Sequence, residues 1–173
     1  MKRAQAVKEA LDRVEGIFAA RPEKGRLTKK GRAVLTDGLL SEYTEDGKTI
    51  AADMPETFGG SGRLLSPPGL MRAGLATCLA IGYAVRAAQL GVALTRVEVD
   101  VEADADFGSI FGLPGCATGY GEIRYSVHVE SEAAEETVRA IIEASDARSP
   151  VLTAIREPQK VARTIVVKRT ATV

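Results

Sequence analysis

The residue of this 173-residue chain best suited to chemistry is Cys78, in the stretch "SPPGLMRAGLATCLAIGYAV" at 66–85. A thiolate is a nucleophile and a two-electron reductant, but a cysteine ionises readily only where a cation or dipole lowers its pKa. Cys78 lies beyond the first turn of its expected helix, where the N-terminal dipole has faded, so the cation must come from elsewhere. The candidates are Arg63 in the preceding loop and the basic cluster Lys29, Lys30 and Arg32. Without such help, a cysteine among apolar residues is a small hydrophobe that packs.

Cys116, in "GLPGCATG", sits in a Gly-rich loop, either as an incidental thiol or within reach of an oxidised Cys78; the incidental reading is preferred. His128 is the only histidine and reads as a strand-face residue. With no second histidine and no closely spaced cysteine pair, a zinc site is not expected. The acidic row from Glu98 to Asp106 alternates along a strand and does not wrap a loop as calcium ligands do. "GGSGR" at 59–63 lacks the Lys-Ser/Thr of a phosphate-binding loop, and no serine nucleophile elbow is present.

The elements that must position these residues follow from composition and periodicity. At 45% hydrophobic and 27% charged residues, the chain is composed like an ordinary globular domain. Lys plus Arg and Asp plus Glu are equal at 23 each, leaving no global field for nucleic acid or an anionic membrane; neither is expected as a partner. The N-terminus shows amphipathic spacing at Val7, Leu11, Val14, Ile17 and Phe18, so it is expected to be a helix and not a signal peptide. Two cysteines without a secretory segment point to a reducing, cytoplasmic setting without a structural disulfide.

"RLTKKGRAVLTDGLLSEYTEDGKTIAAD" alternates β-prone runs with the turn pairs Asp37-Gly38 and Asp46-Gly47, which predicts a meander of two or three strands. "MPETFGGSGRLLSPP" is a loop. Ser66 is a natural N-cap for a helix with Pro67 and Pro68 in its first turn, running to about Gly91. Apolar residues cover almost the whole circumference of that helix, so protein should surround it; its length alone would permit a membrane span, but Arg72 and Arg86 and the strand-rich remainder favour a core helix. Its many alanines and glycines would allow close approach of a neighbouring helix or a dimer mate.

"TRVEVDVEADAD" and "EIRYSVHVE" alternate strictly and predict two strands, with Arg124 and His128 facing the acidic row. An amphipathic helix capped by Ser131 follows, then a short helix capped by Ser149, and "QKVARTIVVK" is expected to close the fold as a strand. The pattern is α+β in one domain, 1–173, with 1–25 an additional N-terminal helix and 26–173 the core.

"KTIAADMPETFGGSGRLLSPPGLMRAGLATC" resembles the OsmC/Ohr family (osmotically inducible protein C and organic hydroperoxide resistance protein), in which a Gly-Gly loop and a proline turn lead into a central helix carrying a peroxidatic cysteine. The similarity continues through "LGVALTRVEVDVEAD" and through "SPVLTAI", which looks like the family's second cysteine site, and "GRAVLTDGLL" resembles the first hairpin of the Ohr branch. It spans roughly Lys29 to Val167, outside the N-terminal helix.

The resemblance implies an OsmC-like fold: an N-terminal β-meander, a buried central helix, further antiparallel strands and a second helix, intertwined as a homodimer. It implies thiol peroxidation with Cys78 as the peroxidatic cysteine, Lys29 or Arg63 stabilising its thiolate, and no metal or bound organic cofactor. Three positions depart from the family pattern: Ser149 stands at the second cysteine, Pro68 at the carboxylate that orients the activating arginine, and Lys29 opposite that arginine. Cys78 would therefore reduce a small organic hydroperoxide and depend on an external thiol reductant. The alternative is a non-catalytic homodimer that binds a small apolar ligand beside Cys78.

Overall fold

The computed structural model describes residues 2–169. In chain order these form α1 (Lys2–Ala20), β1 (Gly31–Asp37), β2 (Leu40–Glu45), β3 (Lys48–Ala52), α2 (Pro67–Gln89), β4 (Arg96–Ala105), β5 (Tyr120–Glu130), α3 (Glu135–Asp146) and α4 (Pro150–Arg156). Strands β1, β2 and β3 make one antiparallel sheet and β4 and β5 another. The architecture is the expected α+β one, with a three-stranded meander. Its second turn places Asp46 and Gly47 at φ +49° and +72°, the left-handed pair that a two-residue hairpin requires.

The register of the second sheet sorts its side chains. Val97 pairs with Val129, Val99 with Val127 and Val101 with Tyr125, while Glu98 faces His128 and Glu102 faces Arg124. Arg124 Nη1 reaches Asp104 at 2.6 Å and Glu122 at 2.8 Å, so the charged face is a solvated ion-pair ladder as the alternation requires. The apolar face receives α2. Leu75, Leu79 and Tyr83, at 0%, 1% and 0% exposure, project from one edge of that helix at intervals of four and form the core with Leu152 of α4. Burying each stabilises the fold by about 1.5–3 kcal/mol. Helices α1, α3 and α4 also pack on α2.

Ser66 caps α2 by accepting from the Gly69 amide at 3.3 Å, with both prolines in the first turn. The preceding loop is held by Asp53, a buried residue whose carboxylate accepts from the amides of Met54 and Ser61, each at 2.7 Å. The Ser61 contacts and the Met54 amide hold its pKa below the usual carboxylate value. Gly60 is required where this loop folds back, because a Cβ there would collide with the Met54 carbonyl.

Three expectations are corrected. Helix α2 is long and apolar enough to cross a membrane by length and composition, yet protein does not surround it: Gly74, Thr77, Ile81 and Ala84 are exposed, Ile81 by 64%. One chain covers one edge of the helix, and the second sheet is only two strands wide. The segment 159–168 is not a closing strand: it pairs with nothing among the described residues, and Val161 is 90% exposed. β propensity cannot make a strand without a neighbour to complete its ladder. Ser131 does not cap α3. Its hydroxyl donates to the Ala93 carbonyl at 2.7 Å and accepts from the Ala133 amide, and the helix begins at Glu135 with acidic Glu135 and Glu136 in its first turn.

Candidate functional site

Cys78 sits midway along α2, half-buried, one position before the core residue Leu79. The face it shares is approached by the C-terminal end of α3 and the start of α4. Close packing there depends on small residues: Ser145, buried, donates to the Ile141 carbonyl at 2.8 Å and to the Gly82 carbonyl of α2 at 3.3 Å. A helix with larger side chains at these positions would hold α3 further off.

Ser149 then falls opposite the thiol, its Oγ 3.5 Å from Cys78 Sγ. As read from the sequence, Ser149 is also the N-cap of α4, accepting from the Leu152 amide at 3.2 Å. With its oxygen engaged as acceptor, its hydroxyl proton is free to donate to sulfur, an interaction that strengthens when the sulfur is a thiolate.

The turn carrying Ser149 is anchored from below. The Asp146 carboxylate accepts from Tyr83 Oη at 2.8 Å and from Tyr125 Oη at 2.6 Å, and the Asp146 carbonyl accepts from the Ser149 amide at 3.3 Å. Burial first, and then the bond to Asp146, push both tyrosine pKa values up, so both phenols stay protonated donors.

Cys78 and Ser149 share a cavity of about 290 Å³ whose apolar wall is Leu79, Ile81 and Val85. Arg86 and Arg148 are its charged lining residues. Neither is among the cations that the sequence pattern places near Cys78. The available signals were the "ARSPV" stretch, which puts Arg148 beside Ser149, and the eight-residue spacing from Cys78 to Arg86 along one helix.

Lys29 and Arg63 do not line this cavity. Lys29 Nζ pairs with Asp46 Oδ2 at 2.5 Å beside the first sheet, and Arg63 is exposed in the loop before α2, where its amide donates to Ser61 Oγ at 3.4 Å. Pro68 occupies the first turn of α2. Cys116 also lies apart from the cavity. Its thiol is bonded to Asp106, which, with burial and the carboxylate charge, raises its pKa. His128 lies on the exposed face of β5 with Nε2 3.7 Å from Asp100 Oδ2. Among the described residues no three His, Cys, Asp or Glu side chains converge on a metal position.

Solved structures share this fold. An OsmC-like protein from Mycoplasma pneumoniae superposes with a TM-score of 0.64 at 17% identity, covering 75% of this chain and 88% of that one. An organic hydroperoxide resistance protein OsmC from Legionella pneumophila gives a TM-score of 0.54 at 21% identity, over 75% and 90% of the two chains. A Vibrio cholerae protein assigned to organic hydroperoxide resistance, with captopril bound in one of its active sites, gives 0.54 at 19% identity over 76% and 87%. No curated protein matches the sequence. The sequence pattern of one family, described as OsmC-like protein, matches residues 60–163, a span that begins at the second glycine of the Gly-Gly loop and takes in Cys78 and Ser149. With that span covering more than half of the chain, and the Cys78 helix, the two-stranded sheet and the Ser149 turn all inside it, the chain belongs to the OsmC-like family.

Proposed function

We propose that this protein is a one-cysteine thiol peroxidase that reduces small organic hydroperoxides in a reducing, cytoplasmic setting. The observation that carries the reading is Cys78 on the wall of a largely apolar cavity, with the Ser149 hydroxyl 3.5 Å from its sulfur. The Cys78 thiolate attacks the terminal oxygen of the hydroperoxide. The O–O bond breaks, the sulfur is oxidised to sulfenic acid, and the alkoxide leaves as alcohol after taking a proton. Ser149 has no thiol to close a disulfide, so an external thiol must return Cys78 to its reduced state. Captopril, held by the Vibrio cholerae protein, is itself a thiol, which is compatible with such a reductant.

The same reading makes the protein a homodimer of a single domain, 1–173, with 26–173 as its core and 1–25 as an added helix. Two surfaces support this. Gly74, Thr77, Ile81 and Ala84 repeat at intervals of three and four along the open side of α2, the spacing of a helix–helix seam. The first sheet has no extensive contact with the helices among the described residues and exposes Leu35 by 65%. Because neither Lys29 nor Arg63 lines the cavity of its own chain, the one that stabilises the thiolate in a dimer comes from the partner chain. The apolar wall of the cavity favours a second reading, a non-catalytic dimer that holds a small apolar ligand beside Cys78.

The deciding experiment treats reduced protein with stoichiometric cumene hydroperoxide in the presence of dimedone, and reads the adduct by mass spectrometry with Cys78→Ser as control. Labelling confined to Cys78 is expected. An unmodified Cys78 would leave the binding scaffold as the function.

A further inference from the structure

Arg86 and Arg148 make the cavity at Cys78 unlike a pocket built only for apolar molecules. Arg86 and Arg148 are both among its lining residues, and no acidic residue is. Neither arginine has an ion-pair partner among the described residues. Arg148 Nη1 donates to the Ala144 carbonyl at 2.7 Å, and Arg86 Nη1 makes a 3.4 Å contact with Gln89 Oε1. Arg86 Nε is buried with no acceptor at all. A guanidinium with N–H groups to spare is matched by the two oxygens of a carboxylate.

Their placement relative to sulfur sets the size of the missing molecule. Arg148 adjoins Ser149, next to the thiol, whereas Arg86 leaves α2 two turns further along, a backbone rise of roughly 12 Å from Cys78. An anion that reaches both arginines while its reactive atom meets Cys78 is about the length of a short peptide, at roughly 3.5 Å per extended residue.

We propose that this cavity binds a carboxylate-bearing monothiol of small-peptide size, held by Arg86 and Arg148, as the reductant of oxidised Cys78. The inference rests on the peroxidase reading. The thiol sulfur attacks the sulfenic sulfur of Cys78, an S–S bond forms, the S–O bond breaks, and the hydroxyl leaves as water with the thiol proton. A second molecule of the thiol attacks the mixed disulfide, releases Cys78 as thiol and departs as the symmetrical disulfide. Two thiols thus supply the two electrons spent on each hydroperoxide. Because Ser149 cannot compete for the sulfenic sulfur, this intermolecular route is the only one open to Cys78 at this turn.

The test has two arms on the full-length protein. In the first, reduced protein reacts with 5,5′-dithiobis(2-nitrobenzoate), a dianion, and with neutral 4,4′-dithiodipyridine, each rate being divided by that of free cysteine. This arm needs no sulfenic acid. In the second, hydroperoxide-oxidised protein is resolved with glutathione, 2-mercaptoethanol or cysteamine, and the mixed disulfide on Cys78 is followed by mass spectrometry. The ratio of anionic to neutral rates is expected to exceed that of free cysteine in both arms. It should fall about tenfold in Arg86→Gln/Arg148→Gln and be retained in large part in Arg86→Lys/Arg148→Lys, whose charges persist.

A ratio equal to that of free cysteine in the first arm would overturn the anion site, whatever Cys78 does with peroxide. Preference in the first arm without preference for glutathione in the second would overturn the thiol assignment and give the arginines to a carboxylate on the hydroperoxide. Failure of Cys78 to form sulfenic acid would overturn the peroxidase reading, and the reductant with it, while the first arm still reports on the arginines.

Discussion

Ser149 Oγ stands 3.5 Å from Cys78 Sγ, at the point where the turn before α4 meets the middle of α2. A side chain at position 149 therefore reaches the thiol although 71 residues separate the two in sequence. Ser149→Cys is expected to form a 78–149 disulfide on treatment with one equivalent of organic hydroperoxide, seen as a two-hydrogen mass loss in place of a dimedone adduct. Persistent sulfenic acid in this variant would show that the turn cannot bring two sulfurs to bonding distance. Ser149→Ala removes the cap on the Leu152 amide and should lower stability by about 1 kcal/mol in denaturant unfolding.

Ile81 is the largest exposed side chain of the open seam on α2. Wild-type protein is expected to sediment as a dimer and Ile81→Asp as a monomer, since an unpaired carboxylate enclosed by the partner helix would weaken association at least about 100-fold. Equal sedimentation of the two proteins would remove this face from the interface.

Asp53 ties the loop before α2 together while it is ionised, and its pKa in the folded protein is depressed by the bonds from Ser61 and Met54. Its stabilising contribution is thus fully present above the ordinary carboxylate pKa and is lost as the pH falls through the depressed folded value. Asp53→Asn should have a lower Tm than wild type at pH 7, and the two should converge at strongly acid pH. A constant difference across that range would mean that the charge of Asp53 is not what holds the loop.

Tyr83 and Tyr125 share the Asp146 carboxylate under the Ser149 turn. Tyr83→Phe leaves a half-satisfied carboxylate and should cost about 1.5–3 kcal/mol in urea unfolding. Combined with Tyr125→Phe, the loss should depart from the sum of the single changes, because both act on one acceptor. Simple additivity would show the two bonds to be independent.

Local patterns were legible wherever a segment's environment lies within itself. Alternation along 95–106 and 122–130 specified both strands of the second sheet and the Arg124 ladder; Ser66 with its prolines specified the start of α2, and Ser149 that of α4. Where the outcome depended on a partner, the reading failed. Val161, Ile165 and Val166 have the composition of a strand, but nothing lies beside them to pair with, and Ser131 found a closer use for its hydroxyl at Ala93 than at the helix start.

The motif around Cys78 singled out the candidate nucleophile from the order and spacing of residues, because that order is local. What surrounds the thiol was decided only by the tertiary structure. Ser149 was named for its place in a motif, yet its contact with sulfur required α3 to approach α2 closely through Gly82 and Ser145. Arg86 and Arg148 entered the cavity by the same packing. Sequence alone sets the chemistry each side chain carries, whereas proximity between distant segments is set by which faces can bury one another, and that is a property of the whole chain.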